Sequence, residues 1–295
     1  MQESSILEAV LARDRIVIIT GLATVIALSW IYILLGAGKG MTAFEMTTMS
    51  IPGASSTMEM PVKSSSMSSQ ESMGSSMRMA HAAMMQPAIW TLSYAALMFL
   101  MWWIMMVAMM LPSASPMILL FARLQRQQKE KGSPFVSTSV FTAGYLVIWG
   151  VFSAIATGTQ WGFERAGLLS AMMTSTSGLF AGVLLLAAGI YQLTPLKHAC
   201  LRHCRSPIQF ITHYWRTGSG GAFRMGIDHG VFCLACCWFL MALLFVGGVM
   251  NLYWIVGLAL FVLLEKTIPA GHWLGSITGI GLMIWGGWLM AGTIL

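Results

Sequence analysis

This sequence is short of charge. Only 9% of its 295 residues are Asp, Glu, Lys or Arg, while 57% are hydrophobic and the mean hydropathy is +0.75. A soluble domain carries about 25% charged residues, so the composition excludes one and makes a bilayer the expected solvent. Missing too are a phosphate-binding Gly loop and a trustworthy Ser-His-Asp set, which leaves no nucleotide or acyl-transfer chemistry to argue from. The net charge of +6 does not point to nucleic acid. Its basic residues fall in short stretches between apolar runs, where they orient a protein in a membrane.

What is present is a series of apolar runs. Each membrane span needs roughly 20 such residues, and the chain reads as an all-α polytopic integral membrane bundle of about seven transmembrane helices with its N-terminus in the cytoplasm. Residues 1–38 form a retained signal-anchor helix, its apolar run at 16–35 too long for a cleaved signal peptide. Residues 39–87, rich in Ser and Met, form a flexible extracytoplasmic loop. Residues 88–295 form a six-helix membrane domain with spans at 89–111, 136–157, 168–193, 231–249, 252–264 and 275–295. Pro112 and Pro116 bend or end the first of these. Trp161, Glu164 and Arg165 fall in a short connection, and a polar, Cys/His-rich cytoplasmic connection occupies 194–228. Gly275 and Gly279, four residues apart, allow two helix backbones to approach closely.

This threading leaves only Lys39, Lys63, Arg78 and Arg165, of 16 basic residues, on the outer side of the membrane. The positive-inside rule supports that orientation, and with it a multi-pass location in a bacterial cytoplasmic (inner) membrane.

Methionine is in excess, 26 residues against five cysteines and six histidines. The outer loop carries Met58, Met60, Met67, Met73, Met77 and Met79 among others, with His81 beyond them. Thioethers are soft donors that suit copper(I) and survive where thiols would oxidise; a low-complexity tether is the bland alternative. In the next span Met98, Met101, Met105, Met106, Met109, Met110 and Met117 project onto one half of a helical wheel. Met101, Met105 and Met109 are candidate exchangeable ligands, although methionine is also ordinary, adaptable packing material.

The thiols are more sharply placed. His229, Cys233, Cys236 and Cys237 stand at helical offsets that put them within one arc of roughly 100°. Upstream, Thr194 can cap a short helix with Pro195 at its first position, and Cys200 and Cys204 then share a face beside Lys197, Arg202 and Arg205. The two groups hold every cysteine of the chain, with His198, His203 and His229 beside them. A thiolate and imidazole set at the inner membrane boundary fits copper(I), with zinc as the alternative. Cysteines also pack as small hydrophobes, and disulfides are not expected in a reducing cytoplasm. The ionisable residues Asp228, Glu265 and His272 lie near the membrane, with Glu265 and Lys266 read as pairing with each other.

These residues resemble a bacterial family of uncharacterised polytopic membrane proteins expected to bind metal and sometimes labelled copper chaperones. The resemblance covers residues 88–295. It is carried by the stretch from Met101 through Trp102, Trp103, Met105, Met106, Met109 and Met110 to Pro112, by Tyr191, Gln192, Lys197, Cys200 and Cys204, and by Gly226, Gly230, Cys233, Cys236, Cys237, Trp238, Met241, Glu265 and Lys266. It implies metal association; the Met-rich loop lies outside it.

The sequence thus predicts an integral membrane copper(I)-handling protein, not an enzyme, with the lipid bilayer, the metal ion and a membrane copper enzyme or copper carrier protein as partners. Two rival classes are a membrane thiol-disulfide oxidoreductase cycling Cys233 and Cys236, for which the usual βαβ setting is missing, and a non-catalytic assembly subunit of a membrane complex.

Overall fold

The computed structural model describes residues 2–38, 42–49, 89–130, 137–170, 173–268 and 271–294. Among them there are helices and no strands: α1 (Gln2–Leu34), α2 (Ala43–Met49), α3 (Leu92–Glu130), α4 (Thr138–Arg165), α5 (Gly178–Gln192), α6 (Pro195–Arg205), α7 (Pro207–Tyr214), α8 (Gly218–Ala242), α9 (Leu244–Gly247), α10 (Leu252–Thr267) and α11 (Gly271–Ile294). The loop methionines Met58 to Met79 and His81 lie outside the described residues.

Five stretches are long and apolar enough to cross a bilayer, within α1, α3, α4, α8–α9 and α11, and a sixth arises if α5 and α6, bent by 64° at their junction, count as one span. Among the described residues an exact count of seven is therefore not confirmed. The physical reason is length. At 1.5 Å per residue, the 15 residues of α5 and the 16 of α10 rise only about 22 and 24 Å, short of a hydrocarbon core of roughly 30 Å.

Two expectations are corrected. α3 runs through Pro112 and Pro116 without ending. Pro116 has no N–H for the Pro112 carbonyl, and the Ser115 hydroxyl donates to that carbonyl instead at 2.7 Å, while Ser113 donates to Met110 O at 2.9 Å. Trp161, Glu164 and Arg165 belong to the last turns of α4 rather than to a connection. Within the supposedly irregular outer loop, α2 is closed by a capping box: the Thr42 N–H and hydroxyl both donate to Glu45 Oε2, at 2.8 and 2.9 Å, and Glu45 N–H donates back to Thr42 Oγ1 at 3.3 Å. Those bonds, the backbone one foremost, hold the Glu45 carboxyl below its ordinary range. Thr47 then accepts the Leu252 N–H at 2.9 Å, fixing α2 to the start of α10.

The helices pack chiefly as α5 on α11, α4 on α8, α3 on α4 and α1, and α6 on α8. Lipid supplies no hydrophobic force between helices, so close backbone approach has to hold them. A Cβ on Gly189 would stand 2.6 Å from Gly279 O, and one on Gly286 would stand 2.8 Å from Gly182 O, so the α5–α11 seam tolerates no side chain there. Gly279 was readable from sequence; its partner Gly189 was not.

Candidate metal centre

The thiol centre forms where α3, α4, α6, α8 and α10 meet at one end of the bundle. α8 presents His229, Cys233, Cys236 and Cys237 inward, at 3%, 0%, 1% and 1% exposure. α6 is started by Thr194, whose hydroxyl accepts from Lys197 N–H at 3.3 Å, with Pro195 in the first turn. The bend that precedes it lays α6 against α8, and the Cys204 side chain reaches Cys236. Cys200 is buried on the same helix; all five cysteines are free.

The sulfurs are not arranged around a point. Cys236 and Cys237 each turn back to the Cys233 carbonyl, at 3.1 and 3.0 Å, as short side chains on a helix commonly do. Among the described residues no three His, Cys, Asp or Glu side chains converge as a ready metal cage. The donor chemistry nevertheless suits a soft cation: several thiols, a thioether and an imidazole nitrogen lie together away from water. His229 Nδ1 is buried without a hydrogen-bond partner, its ring enclosed by Phe141, Tyr145 and Phe210 at centroid distances of 6.1, 5.7 and 5.3 Å. A polar ring atom left unmatched in the interior is a costly feature that calls for an explanation.

Four residues that sequence reasoning did not place complete the centre. Lys266, 8% exposed, donates to Cys233 Sγ at 2.9 Å and to Ser113 Oγ at 3.2 Å. Tyr145 Oη lies 3.2 Å from the same sulfur. Met110 Sδ is 3.9 Å from Cys237 Sγ. Its place on the methionine arc was the available signal for Met110; nothing marked Tyr145. Met101, Met105 and Met109 are buried at 1%, 0% and 1% along α3, as packing residues and conduit ligands alike would be.

Glu265 and Lys266 do not pair with each other. Glu265 accepts from Lys197, both side chains 1% exposed, which ties α10 to the cysteine-bearing α6. Gly275 leaves room for that pair, since a Cβ there would stand 2.5 Å from Glu265 Oε1. With Lys197 and Glu265 neutralising each other, Lys266 needs another anionic neighbour, because an unbalanced buried charge is strongly destabilising. The Cys233 sulfur, 2.9 Å from the Lys266 Nζ, is the group that would fill that position as a thiolate. Asp228 instead faces Arg224 at 3.3 Å and Arg216 at 4.0 Å. His203 stacks on Phe232, with centroids 4.4 Å apart, and its Nδ1 is bonded to Ala199 O at 3.0 Å. The side chain of His272 lies outside the described residues.

Fold and site together define a multi-pass helical membrane protein with a buried cluster of soft donors at one end. The chain belongs to the PpoB2 copper chaperone family, which it matches over residues 99–289, from α3 through most of α11. No curated protein and no solved structure matches it. Its function is therefore copper-related, and all of the centre described above lies within the matched region.

Proposed function

We propose that the protein carries copper(I) as cargo in a bacterial inner membrane. Its thiol centre, Cys200, Cys204, Cys233, Cys236 and Cys237 with His229, acts as the tight acceptor on the cytoplasmic side. Met101, Met105, Met109 and Met110 are weaker, exchangeable ligands along α3, and the cargo is passed to or from a membrane copper enzyme or carrier. The observation that supports this reading is that Cys204 on α6 reaches Cys236 on α8 while the Met110 thioether lies 3.9 Å from Cys237. Thiolates and thioethers select copper(I) over harder cations.

In the structure the Lys266 side chain donates to the Cys233 sulfur. Binding requires that side chain to withdraw, and the Cys236 and Cys237 thiols to turn from the Cys233 carbonyl. A thiol-disulfide exchange role has less support, because exchange needs an accessible sulfur and Cys233 and Cys236 are sealed from solvent.

Elemental analysis of anaerobically purified protein is the direct test. Copper is expected in the wild type, zinc in its place would change the cargo, and the Cys233→Ser/Cys236→Ser/Cys237→Ser variant is expected to lose the tightly held ion. Unchanged stoichiometry in that variant would defeat the assignment.

A further inference from the structure

A second group of soft donors lies at the other end of the bundle. Twelve residues of α3 separate Met98 from Met110, about 18 Å of helix rise. On α4, Gln160 lies a similar distance from Tyr145. With the N-terminus cytoplasmic, this end faces outward.

Its centre is Gln160, 0% exposed. The Trp102 indole, which can only donate, donates to Gln160 Oε1 at 2.8 Å and so fixes the orientation of the amide. The nitrogen then faces three acceptors: Glu164 Oε1 at 2.8 Å, Met173 Sδ at 3.1 Å and Met98 Sδ at 3.7 Å. An amide nitrogen has only two hydrogens, so the pocket holds more lone pairs than protons. Trp90 Nε1 donates to the other Glu164 oxygen at 2.7 Å. Among the described residues no basic side chain pairs with this carboxylate; neighbouring Arg165 lies over the Trp161 ring at 5.0 Å instead.

Met173 does not reach the pocket as a helical packing residue would. It sits at φ +56°, where side-chain-bearing residues are uncommon. Its N–H bonds Ser170 O at 2.8 Å, Val249 N–H bonds its carbonyl at 3.3 Å, and an antiparallel bridge joins Leu169 to Ser175. Such backbone conformations persist where surrounding structure enforces them, and they cluster at ligand sites. A cleft of about 440 Å³, with Trp90 and Thr157 in its wall, opens beside the group.

We infer that Met98, Met173 and Glu164 form a second site for a soft monovalent cation, copper(I) or its surrogate silver(I), entered from the outer face when the Gln160 amide swings away from the two sulfurs. Two thioethers supply soft donors and the carboxylate balances one positive charge. The inference rests on the copper(I) reading proposed above, which it extends by an entry point.

The test is a copper(I) titration of the full-length protein in detergent, under anaerobic reducing conditions, against a chromophoric chelator. Wild type should show a tight and a weaker class. Met98→Leu/Met173→Leu should weaken the weaker class by roughly tenfold or more and leave the tight one. Glu164→Gln should weaken the same class, and Gln160→Leu, which removes the competing amide, should tighten it. Should the double leucine variant fold poorly, X-ray absorption on a variant with all five cysteines changed to serine is the second reading; a thioether-plus-oxygen shell is expected. An unchanged weak class in the leucine variant, or no copper bound by the folded serine variant, overturns the outer site. Loss of the tight class only on cysteine replacement keeps the thiol assignment whatever the outer site does, and an unchanged tight class overturns that assignment alone.

Discussion

Breaking the Lys197–Glu265 pair is the most informative perturbation of the centre. Both side chains are almost fully buried, and they join the helix that carries Cys200 and Cys204 to the helix that carries Lys266. Lys197→Met leaves a buried carboxylate without its counterion, and Glu265→Met leaves a buried ammonium. Removing one partner of such a pair costs about 3–5 kcal/mol, whereas replacing both by apolar residues is often neutral. At about 1.4 kcal/mol per tenfold, each single variant should shift the unfolding equilibrium by roughly two to four orders of magnitude. Lys197→Met/Glu265→Met should return to within about 1 kcal/mol of wild type. Unfolding in mixed micelles, followed by tryptophan fluorescence, reads all four corners of the cycle. If the double variant is as unstable as the two single losses added, the residues do not interact in the way the structure places them, and the argument that this pair anchors α6 fails.

Other perturbations follow from the same geometry. Gly189→Leu drives a side chain into Gly279 and Met283 and should cost about 1–3 kcal/mol or more by overpacking; a melting temperature equal to wild type would show that the α5–α11 seam is looser than described. Ser115→Ala strands the Pro112 carbonyl and should cost about 1 kcal/mol, read by the same unfolding assay. Thr194→Ala removes the α6 cap for about 1 kcal/mol, and it should speed maleimide labelling of Cys204 as the helix frays; an unaltered rate would count against the cap's role. For Glu45 the folded carboxyl is lowered, so its stabilisation of α2 is complete above the ordinary carboxylate value and is lost as pH falls through the lowered one. Amide exchange across residues 43–49 should therefore accelerate below about pH 4, relative to the intrinsic rate, and Glu45→Gln should abolish that pH step.

Local periodicity made half of the centre legible. His229, Cys233, Cys236 and Cys237 share a face because helix geometry alone dictates it, and the structure buries that face. The approach of Cys204 to Cys236 was not legible in the same way. It depends on a bend of 64° after Gln192, which folds α6 across α8, and on a buried ion pair between residues 68 positions apart. The same limit explains the span count. Apolarity along residues 168–193 and 252–264 satisfies a hydropathy criterion, yet Gly167 at φ +70° and the fixed turn around Met173 delay the start of α5. Gly248 at φ +97° and Asn251 as cap likewise set the start of α10. Composition reports how apolar a stretch is; turn chemistry decides how much of it is helix.

Glu265 and Lys266 show what adjacency in sequence can and cannot mean. Opposite charges side by side invite the inference of a pair, but once residues 252–267 are helical, neighbours stand about 100° apart and do not face each other. The two charges must therefore find partners on different helices. Glu265 takes Lys197 from α6 and Lys266 takes Cys233 from α8, so one dipeptide ties together the two helices that supply every thiol of the proposed centre. Exchanging the pair, Glu265→Lys with Lys266→Glu, preserves composition, hydropathy and net charge while placing ammonium against ammonium at Lys197 and carboxylate against sulfur at Cys233. Reading the two residues as a simple surface pair predicts wild-type copper content for that swap; the geometry predicts that both the fold's stability and copper retention fall, measured by the unfolding assay and by metal analysis on whatever folded fraction remains.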